Sequence, residues 1–140
     1  QAAGCNPVEV ALKTGKFVAQ SGNTIADSIA VGIPRNRLKA MRALKESNGT
    51  CISVTDDEIK AAITDLPRSA GVFGEPAGVT AYAGFKKHSI EKNIDINEKV
   101  VIIITGNGLK DIESAISVCD IPIPVAPDSE TIENHVKKLI

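Results

Sequence analysis

The clearest helical pattern in the chain is an apolar face that begins shortly after residue 55. Four apolar residues recur there at i, i+3, i+4 and i+7, which places their side chains on one side of a helix. Thr55 and Glu58 have the spacing of a capping box, in which each side chain binds a free amide of the first turn. We expect Pro67 to end this helix. The apolar residues are Ile59, Ala62, Ile63 and Leu66.

Five further helices are predicted from apolar spacing, first-turn prolines and terminal charges. Asn48 and Gly49 are expected to stop the second of them in a left-handed conformation. The predicted ranges are 7–16, 36–47, 76–88, 111–120 and 128–140. The side chains expected to face inward include Leu38, Met41 and Leu44 in the second helix, and Ile132, Val136 and Leu139 in the last.

Three short segments are typical of extended structure. Residues 100–105 form an apolar run without polar alternation, which predicts a strand buried on both faces. Residues 50–54 predict a second strand, and the prolines of 121–125 favour an extended conformation over a helix. Helices that alternate with short buried strands indicate an α/β layered fold, and residues 1–140 fit one domain.

The helix predicted to begin at Pro76 is unusually rich in small residues. Gly78 and Gly84 within it cost about 2 kcal/mol relative to alanine. A helix this slim can lie close to a neighbour or to a ligand. We therefore expect a packing reason for its glycines.

Composition narrows the class of protein. The chain is 43% hydrophobic and only 3% aromatic, so its core must be built from aliphatic side chains. The formal net charge is −1, and no basic run exceeds two residues, so neither nucleic acid nor an anionic membrane is an expected partner. No apolar run approaches the roughly 20 residues of a membrane span.

The cysteines and histidines indicate a reduced, metal-free protein. The three cysteines are odd in number, widely spaced and lack a C-x-x-C motif, which favours the cytoplasm over an oxidising compartment. The two histidines have no ligand partners at metal-binding spacing, so no metal site is expected. The cysteines are Cys5, Cys51 and Cys119, and the histidines are His88 and His135.

Two places carry candidate chemistry. Thr105 ends the strand of 100–105, where ligands gather in open α/β sheets, and Gly106 and Gly108 would permit unusual backbone conformations and the approach of a planar ligand. A simple strand-to-helix turn explains the same residues, and the glycine spacing is not a dinucleotide fingerprint. Glu75, just before Pro76, could point into a cleft or only supply favourable charge at a helix N-terminus.

Three segments resemble one enzyme family. "TIADSIAVGIPRN", "GVFGEPAGVTAYAGF" and "KVVIIITGNGLKD" occur here in the order and approximate spacing of the C-terminal portion of the threonine synthases, which are pyridoxal-phosphate enzymes of fold type II. "TIAD" and "EPAG" are shared with the serine and threonine dehydratases, whereas "TGNGLKD" is more specific to threonine synthases. The opening "QAAGCNPVEVA" and the last 20 residues are also similar, so the resemblance covers nearly the whole chain.

The resemblance implies a fold and a cofactor site. The fold would be three-layered, with a mostly parallel sheet flanked by helices. Thr105 would bind the pyridine nitrogen of pyridoxal phosphate, Gly106 and Asn107 would shape the pocket behind the ring, Glu75 would lie near the cofactor and substrate, and the stretch containing Ala26 would pass beside the ring. The family commonly has Ala-Asp-Gly where this chain has Ala-Asp-Ser, so the side chain of Ser28 could crowd the site.

The resemblance also implies that the chain is only part of an enzyme. The Schiff-base lysine and the phosphate-binding loop of the family would lie before Gln1, so residues 1–140 would be the C-terminal part of the cofactor-binding domain and inactive alone. The parent enzyme would convert O-phospho-L-homoserine and water to L-threonine and phosphate, as a cytoplasmic homodimer. The alternatives are a paralogue, such as cysteate synthase or a serine/threonine ammonia-lyase, and a non-catalytic α/β binding module.

Overall fold

A computed structural model of the chain describes residues 1–92, 94–119, 122 and 124–138. This part of the chain is mostly helical. None of the helices in the described ranges is long and apolar enough to cross a membrane. The helices are α1 (Pro7–Thr14), α2 (Arg37–Glu46), α3 (Asp56–Ala70), α4 (Pro76–Lys92), α5 (Ile112–Ser117) and α6 (Ser129–Val136), and two short 3-10 turns span Asp27–Ile29 and Gly108–Lys110.

The start of α3 confirms the predicted capping box. The Glu58 amide donates to Thr55 Oγ1 over 3.2 Å, and the Thr55 amide donates to Glu58 Oε2 over 2.7 Å. The four predicted apolar residues are all buried, and their face packs against α4. Local capping chemistry and apolar spacing therefore agree on this element.

The predicted end of α3 at Pro67 is wrong. The helix continues to Ala70 and ends where Gly71 takes a left-handed conformation with φ of 67°. Proline removes the hydrogen bond that its own nitrogen would donate and crowds the carbonyl four residues earlier, but its own carbonyl remains an acceptor. That carbonyl accepts from the Gly71 amide over 2.9 Å, so the last turn closes around Pro67.

The predicted starts of the other helices agree with the structure to within one residue, whereas several ends differ: α1 ends at Thr14 instead of 16, and α4 continues to Lys92 instead of ending at 88. α4 begins at Pro76, and Asn48 stops the chain after α2 with φ of 51°. Leu38, however, is 73% exposed, so its predicted inward position is wrong. Ile132 and Val136 are also exposed, which contradicts their predicted inward positions, and Leu139 lies outside the described residues. An amphipathic pattern specifies which face can pack, but it does not supply the surface that covers that face.

A parallel sheet is not confirmed in the part of the chain that the structure describes. Backbone pairing there consists of three isolated bridges, of which the one between Ala2 and Val54 is parallel. The Ala3 amide donates to the Val54 carbonyl over 2.7 Å, and the Val54 amide donates to the Gln1 carbonyl over 2.9 Å. The amino group of Gln1 also donates to the Ile52 carbonyl over 2.6 Å, so residues 1–3 pair with residues 52–54 of the predicted strand. The prediction for 121–125 lies partly outside the described residues.

The prediction that residues 100–105 are buried on both faces is wrong. Their exposure alternates: Val101 and Ile103 are 88% and 73% exposed, whereas Ile102 and Ile104 are half-buried. Ile104 packs against the core. Only one side of this segment is covered by described residues, and an apolar run without alternation cannot show which side that is.

Small aliphatic residues form the core, as the composition predicted. The core joins segments far apart in the sequence, including the stretch around Ala26, the start of α4 and Ile104. These are the segments that carry the candidate site residues. Its buried members are Ala2, Ala26, Val54, Ile59, Ala62, Ile63, Leu66, Ala77, Val79 and Ala83.

Candidate functional site

The loop after residue 105 lies directly against the segment that precedes α4. The Glu75 amide donates to the Gly106 carbonyl over 3.0 Å, and the Gly108 amide donates to the Phe73 carbonyl over 3.1 Å. An antiparallel bridge joins Gly74 and Asn107 between these two bonds. The structure therefore places Glu75 beside Gly106, although the two residues are far apart in the sequence.

The glycines of this loop are required by close packing rather than by an unusual backbone conformation. A Cβ at Gly106 would lie 1.9 Å from Glu75 Oε1, and one at Gly108 would lie 2.4 Å from the ring of Phe73. Among the described glycines, positive φ occurs at Gly15 and Gly71, so the predicted conformational role of Gly106 and Gly108 is wrong. The space that these glycines leave is filled by protein atoms.

The slim helix α4 has the predicted packing reason at one glycine but not at the other. A Cβ at Gly78 would lie 3.0 Å from the Gly106 carbonyl oxygen, so α4 approaches the loop closely there. At Gly84 no described atom lies within 4 Å of the added carbon. Gly78 therefore brings the start of α4 against the candidate site, and Gly84 faces open space.

Glu75 is a buried carboxylate with a cationic partner. The residue is only 5% exposed, and its carbonyl accepts the Val79 amide at the start of α4 over 2.9 Å. Lys110 Nζ lies 3.4 Å from Glu75 Oε2 and 3.5 Å from Oε1. The carboxylate thus lies at a helix N-terminus and in a buried position beside the loop, and its predicted orientation into a cleft stays a prediction.

Thr105 and Asn107 are exposed on either side of Gly106. The Leu109 amide donates to Asn107 Oδ1 over 2.9 Å, so Asn107 caps the turn Gly108–Lys110. Asp111 then caps α5 by accepting the Ser114 amide over 3.0 Å, and this hydrogen bond lowers the pKa of Asp111. The two caps determine the path of the loop, and the side chain of Thr105 lies on its solvent-accessible side.

Ala26 lies beneath the surface, in the core that also contains Ala77 and Val79. The segment before it is held by Asp56: Thr24 Oγ1 donates to Asp56 Oδ1 over 2.5 Å, and the Ile25 amide donates to Oδ2 over 3.2 Å. Ser28 is exposed and donates to Asp27 Oδ1 over 3.1 Å. The structure thus places Ala26 in the core beneath the start of α4, and its position beside the cofactor ring stays a prediction.

Sequence reasoning missed two residues of this arrangement, Lys110 and Asp56. Lys110 lies within the quoted motif "TGNGLKD", and its position three residues after Asn107 was the available signal. Asp56 lies between Thr55 and Glu58 of the capping box. Its carboxylate accepts two hydrogen bonds from a segment more than 30 residues earlier, which no local pattern indicates.

A separate polar cluster holds α1 against the segment before α3. Burial acts to raise the pKa of Glu9, but hydrogen bonds from Lys13, Ser53 and Asn6 outweigh it and lower that pKa. Nearby, burial raises the pKa of the Cys51 thiol. A higher pKa keeps a thiol protonated and unreactive at neutral pH. We interpret this cluster as structural.

An apolar groove of about 710 Å³ runs along α4. Its lining includes Gln1, Ile52, Ala81 and Ile103, but none of the residues that the resemblance implies for the cofactor. In the described part of the chain, no group of three or more histidine, cysteine, aspartate or glutamate side chains is arranged to hold a metal ion.

Solved structures with a similar backbone define the class of fold. The chain matches a T.th. threonine deaminase with a TM-score of 0.57 at 15% identity, over 76% of this chain and 37% of that one. It matches a serine racemase from Dictyostelium discoideum with a TM-score of 0.55 at 29% identity, over 76% of this chain and 33% of that one. These matches support the α/β class.

Residues 1–106 match the family model of the pyridoxal-phosphate dependent enzymes, and the chain belongs to that family. Its sequence is 40% identical to a threonine synthase of Methanocaldococcus jannaschii over 99% of this chain and 35% of the relative. It is 39% identical to one of Methanosarcina acetivorans, over 97% of this chain and 34% of the relative. The resemblance to threonine synthases is confirmed, and the chain spans about a third of the length of these relatives.

The residues at the candidate site fit one edge of pyridoxal phosphate. Thr105 offers an exposed neutral hydroxyl that can donate to a ring nitrogen. The carboxylate of Glu75 lies against Gly106, the residue after Thr105, and forms an ion pair with Lys110. The hydroxyl of Thr105 can donate a hydrogen bond to an unprotonated pyridine nitrogen, and the charge of the nearby Glu75 carboxylate is compensated by Lys110.

Proposed function

We propose that this chain is part of a threonine synthase, which converts O-phospho-L-homoserine and water to L-threonine and phosphate. The observation that carries the proposal is 40% identity to a threonine synthase over 99% of the chain. Identity spread over the whole chain covers all three motif segments. A relationship limited to the cofactor motifs would favour the broader family instead.

Thr105 is the residue that we assign to the pyridine nitrogen. Bound pyridoxal phosphate supplies an electron sink for the negative charge that develops on the substrate carbons during elimination. A neutral hydroxyl orients the ring without requiring a proton on its nitrogen. Gly106 lets the loop lie flat against Glu75, and Asn107 holds the following turn so that Thr105 remains exposed.

Ala26 and Glu75 support the site from behind. Ala26 belongs to the core that carries the start of α4, and Glu75 fixes the loop through the hydrogen bond that its backbone amide donates to the Gly106 carbonyl. We assign the Schiff-base lysine and the phosphate-binding loop to the remainder of the enzyme. Residues 1–140 alone are therefore inactive, and they form the C-terminal part of a cofactor-binding domain in a cytoplasmic homodimer.

A paralogue with a different substrate is the second candidate. The match to a serine racemase at 29% identity favours a broader amino-acid lyase or racemase chemistry. The identity of 40% to a threonine synthase favours the phosphorylated substrate. A non-catalytic module is the least supported alternative, because the identity to threonine synthases extends over nearly the whole chain.

The test is a substrate comparison on the complete polypeptide that carries this chain. Phosphate and threonine should form together from O-phospho-L-homoserine, and the Thr105→Val variant should bind pyridoxal phosphate with an altered absorbance and turn over much more slowly. Residues 1–140 alone should release no phosphate. Deamination of L-serine or L-threonine without activity on the phosphorylated substrate would establish the paralogue instead.

A further inference from the structure

We propose that Lys110 is a positioning residue that neutralises Glu75 and so keeps the ring nitrogen at Thr105 unprotonated. The inference rests on the proposed function, because it requires pyridoxal phosphate at Thr105. It adds a role for the lysine of the "TGNGLKD" motif, whose ammonium group pairs with the carboxylate of Glu75. Lys110 acts through Glu75.

The burial of the two partners differs strongly. The side chain of Glu75 is 7% exposed, whereas that of Lys110 is 63% exposed. Within the described ranges, Lys110 is the cation that forms an ion pair with Glu75. Removing a carboxylate from water costs free energy, and pairing with a cation offsets part of that cost. The lysine thus reaches inward from the surface to a buried acid.

The loop geometry places this acid against Gly106, which follows Thr105 in the chain. A Cβ at Gly106 would lie 1.9 Å from Glu75 Oε1, so the carboxylate lies against the residue that follows Thr105. The Glu75 amide also donates to the Gly106 carbonyl. Any uncompensated charge on Glu75 therefore acts close to the hydroxyl that we assign to the ring nitrogen.

The turn after Gly106 returns Lys110 to Glu75. Gly108 donates its amide to the Phe73 carbonyl, and Asn107 caps the turn. The Lys110 amide donates to the Asn107 carbonyl over 3.0 Å, which closes the turn. The turn formed by the residues between Gly106 and Lys110 therefore places the Lys110 ammonium group beside the Glu75 carboxylate.

The electrostatic consequence follows from the neutral partner of the ring. A hydroxyl can donate to an unprotonated nitrogen or accept from a protonated one, so it does not by itself decide the protonation state. A lone carboxylate nearby favours the protonated nitrogen, whereas a paired carboxylate favours it much less. The presence of Lys110 therefore determines whether the ring nitrogen lies near a lone carboxylate or near a paired one.

The test measures the ring nitrogen directly. The complete polypeptide is loaded with pyridoxal phosphate labelled with 15N in the ring, and the 15N chemical shift is recorded at neutral pH. Lys110→Met should move the shift toward that of a protonated pyridinium, with a rise of about tenfold in the protonated-to-unprotonated ratio. Lys110→Arg should retain the wild-type shift. Lys99→Met, at an exposed lysine outside this loop, is the matched control and should change nothing.

A double variant and a second neutral substitution complete the design. Glu75→Gln combined with Lys110→Met removes both charges and should return the shift toward the wild-type value. Lys110→Gln removes the charge but can still donate a hydrogen bond to the Glu75 carboxylate. It serves as the neutral variant if the Lys110→Met protein does not fold. A wild-type shift in both neutral variants would overturn the role of Lys110.

Thr105→Val separates this inference from the proposed function. If that variant changes the 15N shift and the neutral Lys110 variants do not, the ring is at Thr105 and only the role of Lys110 fails. If Thr105→Val leaves the shift unchanged, the ring nitrogen is not at Thr105. The cofactor assignment itself then fails.

Discussion

Gly106 and Glu75 pack so closely that a single carbon added to the glycine would lie 1.9 Å from a carboxylate oxygen. The contact joins the loop at the end of the apolar run 100–105 to the residue that precedes α4. It explains why a glycine follows Thr105 without requiring a left-handed backbone. The same contact brings the buried acid to the candidate cofactor position.

Replacing Gly106 with alanine should displace the Glu75 side chain and destabilise the chain. Overpacking of this kind costs about 1–3 kcal/mol. The measurement is the free energy of unfolding from urea denaturation. Gly84→Ala is the matched control: it lies in α4 with no described atom within 4 Å of the added carbon, so it should stabilise the protein by up to about 1 kcal/mol. Equal stability of Gly106→Ala and wild type would contradict the packing.

Asp56 should hold the segment that contains Ala26 in place. Asp56→Asn removes the charge that accepts from Thr24 and from the Ile25 amide, which should cost about 1–3 kcal/mol. Amide hydrogen exchange should be faster at Ile25 than in wild type. The neighbouring Asp57 is exposed, so Asp57→Asn should leave that exchange rate unchanged. Identical exchange rates at Ile25 in the two variants would rule out this role of the Asp56 carboxylate.

The alternating exposure of residues 100–105 predicts unequal effects of neighbouring truncations. Ile104 packs against the core and Ile103 is 73% exposed. Ile104→Ala should therefore lower the free energy of unfolding by about 2 kcal/mol or more, and Ile103→Ala should change it by less than about 0.5 kcal/mol. Chemical denaturation of the two variants compares them directly. Similar losses would mean that both faces of this segment are covered.

The capping box at α3 predicts a dependence of stability on acid. A hydrogen bond from the Thr55 amide, helped by Lys87, lowers the pKa of Glu58 below its ordinary value of 4.5. The folded protein therefore favours the charged form, so this contribution is present above about pH 4.5 and is lost as the pH falls through the lowered value. Glu58→Gln should flatten the loss of stability in this acidic range, as measured by thermal unfolding against pH.

Thr55→Ala provides the contrast for that experiment. This substitution removes the Thr55 hydroxyl, which accepts a hydrogen bond from the Glu58 amide. It leaves the backbone amide of residue 55, which donates to the Glu58 carboxylate. We expect a loss of about 1 kcal/mol at neutral pH, with most of the acid dependence retained. If Glu58→Gln and Thr55→Ala had the same pH profile, the carboxylate would not be the source of the acid sensitivity.

The sequence by itself determined the elements whose causes are local. The capping box of Thr55 and Glu58, the start of α4 at Pro76 and the stop at Asn48 depend on side chains and backbone groups within one turn. The three motif segments that end around Thr105 also indicated the family, because their residues, order and approximate spacing are those of the threonine synthases. Pro67 shows the limit of local rules, because a proline in the last turn removes one donor without ending the helix.

Only the tertiary structure decided which distant residues meet. The contact of Glu75 with Gly106, the return of Lys110 to Glu75, and the hold of Asp56 on Thr24 join residues that are 31 to 35 positions apart. Burial of residues 100–105 was likewise decided by what lies on each side of them. Apolar spacing specifies a face that can pack, but distance and burial depend on the surfaces that the folded chain brings against it.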